Sequence, residues 1–102
     1  MIVVVFRTRL RQGLDEAAMR TLGGLGARMH QLATAMPGFI SYKDFDASDG
    51  ESVSIVEFES PETLLAWREH PEHKEVQRLG RERYFSSYSV QVCAPIRSYA
   101  FP

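Results

Sequence analysis

SPETLLAWREHPEHKEVQRLGRERY, residues 60 to 84, sets the pattern that the rest of the chain answers. Ser60 is a helix-capping residue type, and Pro61 suits the first helical position, where its missing N–H is no loss. Glu62 falls in the first turn, where negative charge complements the helix dipole. Leu64, Leu65 and Trp67 form an apolar patch before His70-Pro71. Pro71 disfavours helical geometry at His70 and removes a donor, so a break or kink is expected there. A second helical segment then carries His73, Val76 and Leu79 and is expected to stop near Gly80. The only tryptophan and two of the three histidines lie beside this bend, which is where chemistry is sought.

Upstream, Ile2-Val3-Val4-Val5-Phe6 is a β-branched run continued by the alternating Arg7-Thr8-Arg9-Leu10. It reads as a strand buried on both faces at its start, hence central in its sheet. After Gln12-Gly13, Asp15 and Glu16 open a segment in which Ala18, Leu22, Leu25, Met29, Leu32 and Met36 recur at spacings of three and four, one helical stripe. Gly23, Gly24 and Gly26 lie inside it, each costing ~1 kcal/mol relative to Ala. Close packing against the helix is the expected reason for them. The GGLG run follows no strand, so it does not read as a nucleotide-binding loop. Pro37-Gly38 ends the helix. Phe39 to Phe45 and Val53 to Phe58 read as a hairpin around Asp49-Gly50. Beyond residue 84, Tyr88, Val90, Val92, Ala94 and Ile96 alternate with Ser87, Ser89, Gln91 and Cys93, so a strand from Phe85 to Ile96 is expected.

The order β-α-β-β-α-β is the ferredoxin-like, split βαβ arrangement: an α+β fold with a four-stranded antiparallel sheet and its helices on one face. The other face would carry side chains such as Tyr42 or Phe39, Val53 or Val56, and part of the Ile2–Phe6 run. That is more apolar surface than a monomer usually leaves wet. A second copy, sheet against sheet, would cover it and give a homodimer, with Arg97–Pro102 free to cross to the partner.

A chain of 102 residues is expected to form one domain over 1–102. A formal net charge of −1 recommends neither nucleic acid nor an anionic membrane as partner. The single cysteine, Cys93, excludes an intrachain disulfide framework and fits a reducing compartment. Met1–Phe6 is only a strand long and lacks a basic leader, so neither signal peptide nor membrane span is read there. A soluble, cytoplasmic protein is expected.

Two readings stand for Trp67: a core or interface residue, or a pocket wall stacking a flat organic ligand or donating its indole N–H. His70 and His73 are three apart, a spacing that shares one helix face but is interrupted by Pro71. They read as a general base or hydrogen-bond partner in a pocket, as solvated residues or, for His70, as a cap. A metal would have only Glu69, Glu72 and Glu75 to complete its ligands, so no metal site is assigned. His30 reads as a helix-flank residue. Tyr84, Phe85, Tyr88 and Tyr99 suit core packing and an aromatic pocket equally. No serine elbow appears, and Cys93 reads as a small structural residue.

The strand MIVVVFRTRL, the hairpin MPGFISYKDFDASDGESVSIVEFES, the stretch AWREHPEH and the ending GRERYFSSYSVQVC together resemble the antibiotic biosynthesis monooxygenase domain family. The resemblance implies a dimeric α+β barrel. It also implies either of two activities: oxygenation of aromatic polyketides or quinols without metal or flavin, or haem degradation. In the first, the deprotonated substrate itself passes an electron to O2, and the protein supplies binding, orientation and proton transfer. The family's second-helix tryptophan matches Trp67. An asparagine recurrent in its catalytic sets has no counterpart, because the chain contains no Asn. Where haem degraders carry a ligating histidine, this chain has Gln77, ten positions after Trp67. The expectation is a cofactor-independent monooxygenase. Trp67, His70 and His73 are its catalytic candidates, Tyr42, Tyr84 and Phe39 its substrate-binding ones, and haem is a lesser candidate ligand. The alternatives are a non-catalytic carrier of an aromatic molecule or haem, and a haem degrader.

Overall fold

The computed structural model describes residues 1–102 as β1 (Ile2–Leu10), α1 (Glu16–Thr34), β2 (Phe39–Asp46), β3 (Ser52–Phe58), α2 (Pro61–Arg68), α3 (Pro71–Leu79), a π turn (Gly80–Tyr84) and β4 (Phe85–Cys93). The sheet is antiparallel with strand order β2-β3-β1-β4. This is the ferredoxin-like α+β arrangement, and β1 is central, as its β-branched run predicts.

Each helix begins where its sequence signals place it. The Asp15 carboxylate accepts from Ala18 N–H at 2.8 Å. Ser60 and Thr63 form a reciprocal capping box around Pro61. His70 caps α3, its Nδ1 accepting from Glu72 N–H at 3.1 Å. The bend at Pro71 is therefore a true helix boundary. Gly38 (φ 80°) turns the chain into β2, and a Cβ there would lie 2.5 Å from the Thr63 side chain, which leaves room only for glycine.

Register sorts the side chains by face. Val4 pairs with Val56 and Val92, Phe6 with Ser54 and Val90, and Thr8 with Ser52 and Tyr88, all on the helix side. The core sits there: Val4, Val56, Phe58, Met29, Leu32, Ala33, Leu64 and Trp67 are buried. Val3, Val5, Arg7, Val53, Ile55 and Glu57 face the other way. Phe39 and Tyr42, three apart, would fall on opposite faces of a regular strand. An irregularity between Phe39 and Ser41 lets Phe39 oppose Phe58 and Tyr42 oppose Val56, so both point toward the helices.

Two expectations need correction. β4 ends at Cys93, not Ile96: its last partner is Val3, one residue from the start of β1, and Pro95 lacks a donor. Ile96 is fully exposed. Helix α3 does stop at Leu79 with Gly80 as its cap, and the chain then continues into the π turn, where Phe85 N–H reaches Gly80 C=O. Gly23, Gly24 and Gly26 are exposed, and a Cβ at any of them would meet open space, so close packing is not their reason.

Candidate functional site

Aromatic and imidazole rings gather where α1, α2 and α3 meet the β2–β3 half of the sheet. Trp67 is 5% exposed and stacks on Phe58, with centroids 5.5 Å apart and planes at 28°. Its second neighbour is His73, edge-on at 4.5 Å, and its third is Tyr42 at 6.2 Å. Phe39 lies one ring removed, edge-on to Phe58 at 5.9 Å. His30 stands 4.9 Å from Tyr42 on the solvent side. Sequence reasoning set His30 aside as a flank residue, and only tertiary packing of α1 on β2 reveals its neighbour.

Two polar atoms in this cluster are buried with no hydrogen-bond partner: Trp67 Nε1 and His73 Nδ1. Buried polar groups are nearly always paired, and leaving one unpaired costs on the order of 1–3 kcal/mol. Two such nitrogens on touching rings form a donor and a potential acceptor awaiting a third party. Burial, then the neighbouring Arg68 and His70 side chains, hold the His73 pKa below the ordinary imidazole value. His73 is therefore neutral near pH 7 and able to accept a proton. Burial foremost, with Asp44 adding, raises the Tyr42 pKa, while a hydrogen bond with Ser54 opposes the rise. Tyr42 thus keeps its proton and can donate it in a hydrogen bond.

The remaining sequence candidates fall elsewhere. His70 is occupied as a cap through Nδ1. Tyr84 is buried at the foot of the π turn, where its carbonyl accepts from Arg11 N–H at 2.8 Å. The glutamates flanking the histidines are all engaged: Glu69 with Lys74, Glu72 with Arg28 and Glu75 with Arg78. The Arg28–Glu72 pair is bidentate and ties α1 to the first turn of α3, fixing His73 against Trp67. No group of three or more His, Cys, Asp or Glu side chains is placed to hold a metal.

Two hollows lie away from the cluster. One of about 500 Å³ is lined by Arg9, Leu10, Gln12, Asp49, Gly50 and Ser86, with Leu10 its single apolar side chain. The other, about 190 Å³, lies on the open sheet face among Ser41, Lys43, Phe45, Ile55 and Glu57. Neither has the apolar lining of a small-molecule site.

Known proteins place this arrangement. The uncharacterized protein YqjZ of Bacillus subtilis is 30% identical over 79 residues, spanning 78% of this chain and 69% of that protein. Rv0793 from Mycobacterium tuberculosis superposes with a TM-score of 0.79 at 26% identity, covering 97% of this chain and 98% of that one. SnoaB, a cofactor-independent oxygenase from Streptomyces nogalater, shares the fold with a TM-score of 0.75 at 14% identity, over 95% of this chain and 94% of its own. No helix here is long and apolar enough to cross a membrane. The family model for antibiotic biosynthesis monooxygenases matches residues 1–79, from β1 through the cluster-bearing helices, and the chain belongs to that family.

Proposed function

We propose that this protein is a cofactor-independent monooxygenase acting on a small aromatic or quinol-like substrate, working as a cytoplasmic homodimer of one domain per chain. The observation that carries the reading is the pair of unpartnered buried nitrogens, Trp67 Nε1 and His73 Nδ1, on rings 4.5 Å apart beside Tyr42. A phenolic substrate satisfies both. His73 Nδ1 takes the hydroxyl proton, and Trp67 Nε1–H and Tyr42 O–H hydrogen-bond the resulting oxyanion or the reduced oxygen. Deprotonation makes the ring electron-rich enough to pass an electron to O2. One oxygen atom then enters the product and the other leaves as water, so no external reductant is required when a ring CH2 becomes C=O. Phe39 and Phe58 back the wall, His30 offers the proton a path to solvent, and His70 and Tyr84 act by holding α3 and the π turn in place.

The absence of asparagine favours a second reading, in which the same cluster binds an aromatic molecule or haem without turning it over. Gln77 weighs against haem degradation. Dissolved oxygen, followed in a panel of quinols and phenolic polycycles with wild type and Trp67→Phe, separates them. Uptake that falls about 100-fold or more in the variant supports the oxygenase, a loss typical of removing one transition-state donor. Ligand-dependent stabilisation without uptake supports the carrier.

A further inference from the structure

The helices close unevenly over the sheet. Above the Val56–Phe58 end, Met29, Leu32 and Ala33 of α1 are buried. Toward the Thr8 end, Leu22 and Leu25 of α1 and Val76 and Leu79 of α3 are only half-buried, and so is Phe6 beneath them. Half-buried apolar side chains therefore continue from the Trp67 cluster, against which Val76 packs, toward the π turn. Its far end is aromatic: Phe6 meets Tyr88 at 5.7 Å and Phe85 at 6.1 Å, both edge-on.

At that end stands Arg81. Arg7, Arg9, Arg20, Arg28 and Arg78 each hold a carboxylate. Arg81 holds none, nor do Arg11, Arg68, Arg83 and Arg97, but of these Arg81 alone donates to a side chain, its Nη1 to Tyr88 Oη at 3.3 Å. The adjacent acid, Glu82, is taken by Arg78 at 2.6 Å. The backbone that presents Arg81 is held with unusual care. Arg11 donates from Nη2 to Arg81 C=O at 2.6 Å, from Nε to Phe85 C=O at 3.1 Å, and from its N–H to Tyr84 C=O. A Cβ on Gly80 would lie 2.7 Å from the Phe85 ring, so the turn also needs its glycine. π turns are rare and recur at functional sites.

We propose that Arg81 and Tyr88 form an anion subsite that reads a carboxylate at the far end of an elongated aromatic substrate, with Arg11 as the residue positioning it. Tyr88 accepts from Arg81 and so keeps its own O–H free to donate beside the guanidinium. The subsite deepens the aromatic-substrate reading above and rests on it. His73 and Arg81 lie eight residues apart along α3 and its π continuation, about 12 Å at helical rise. That separation, shortened by side chains reaching inward, suits fused rings with the oxidisable hydroxyl at one end and the acid at the other.

Quenching of the lone tryptophan, Trp67, measures binding directly. A hydroxynaphthoate and the matching hydroxynaphthamide are titrated into wild type, Arg81→Gln, Arg81→Lys, Arg11→Lys and the neighbouring Arg83→Gln. The subsite predicts that wild type prefers the acid by about tenfold or more, as a charge-assisted pair provides. Arg81→Gln abolishes the preference by weakening the acid alone, Arg81→Lys keeps part of it, Arg11→Lys reduces it, and Arg83→Gln leaves it intact. Equal affinity for acid and amide in wild type, or an equal effect of Arg83→Gln, overturns the subsite while leaving the aromatic site standing. No quenching by either compound overturns both.

Discussion

Exchanging His73 for leucine removes a buried nitrogen that nothing in the protein satisfies, so folding and function should part company there. The variant is expected to be more stable by about 1 kcal/mol, since the cost of an orphaned polar atom disappears, while oxygen uptake is lost. Thermal melts beside oxygen electrode traces check this; a destabilised variant would mean that His73 is structural. The pH dependence has a definite sign. The folded-state pKa of His73 lies below the ordinary 6.5, so the unfolded chain binds the proton more readily. Its contribution to stability is complete above about pH 6.5 and declines as pH falls toward the folded value. His73→Leu should flatten the melting temperature in that window and leave the loss below about pH 4.5, where carboxylates such as Glu69, Glu72 and Glu75 protonate. Trp67 and His73 stood out in sequence because rare residue types fell beside a proline-marked bend, whereas the place of Tyr42 beside them is settled by the β2–β3 register. His30 did not stand out, because its approach to Tyr42 depends on where α1 lies across β2.

Helix α1 carries three exposed glycines with open space at each Cβ position. Gly23→Ala, Gly24→Ala and Gly26→Ala should each stabilise the protein by about 0.5–1 kcal/mol, measured by urea unfolding. Gly80→Ala should instead destabilise, since its methyl would press into Phe85. The apolar stripe, the Asp15 and Ser60 caps and the break at Pro71 could all be read from spacing and residue type, because they obey local rules. The misplacement of Phe39 and Tyr42 on alternative faces, the extra rungs assigned to β4 and the unforeseen π turn share one cause. Each is settled by partners distant in sequence: the β3 register, the start of β1 and the hydrogen bonds from Arg11.

The open sheet face carries Val3, Val5, Val53 and Ile55 around the Arg7–Glu51 pair, and Tyr99 and Phe101 of the tail are almost wholly exposed. Such a surface matches the proposed homodimer. Val5 and Ile55 are directly opposed across β1 and β3. Val5→Lys combined with Ile55→Lys would set like charges at the centre of the interface, and sedimentation equilibrium should then report a monomer where wild type is a dimer. An unchanged dimer would move the interface off this face. Fold class was legible from element order alone, whereas the pairing of two copies rests on surface that no single chain buries.

The strand order has a consequence for how the protein comes into being. β1 is made before the other three strands yet sits inside the sheet, and one of its two neighbours, β4, is the last of them to be made. Until residues 85 to 93 emerge, the most β-prone segment of the chain has an unpaired edge, and its eventual closure spans nearly the whole length of the polypeptide. Closure of the sheet must therefore wait until β4 has been made. Meanwhile Arg7 and Arg9, charged residues on the nascent strand, act as the gatekeepers that keep it from pairing with a stranger.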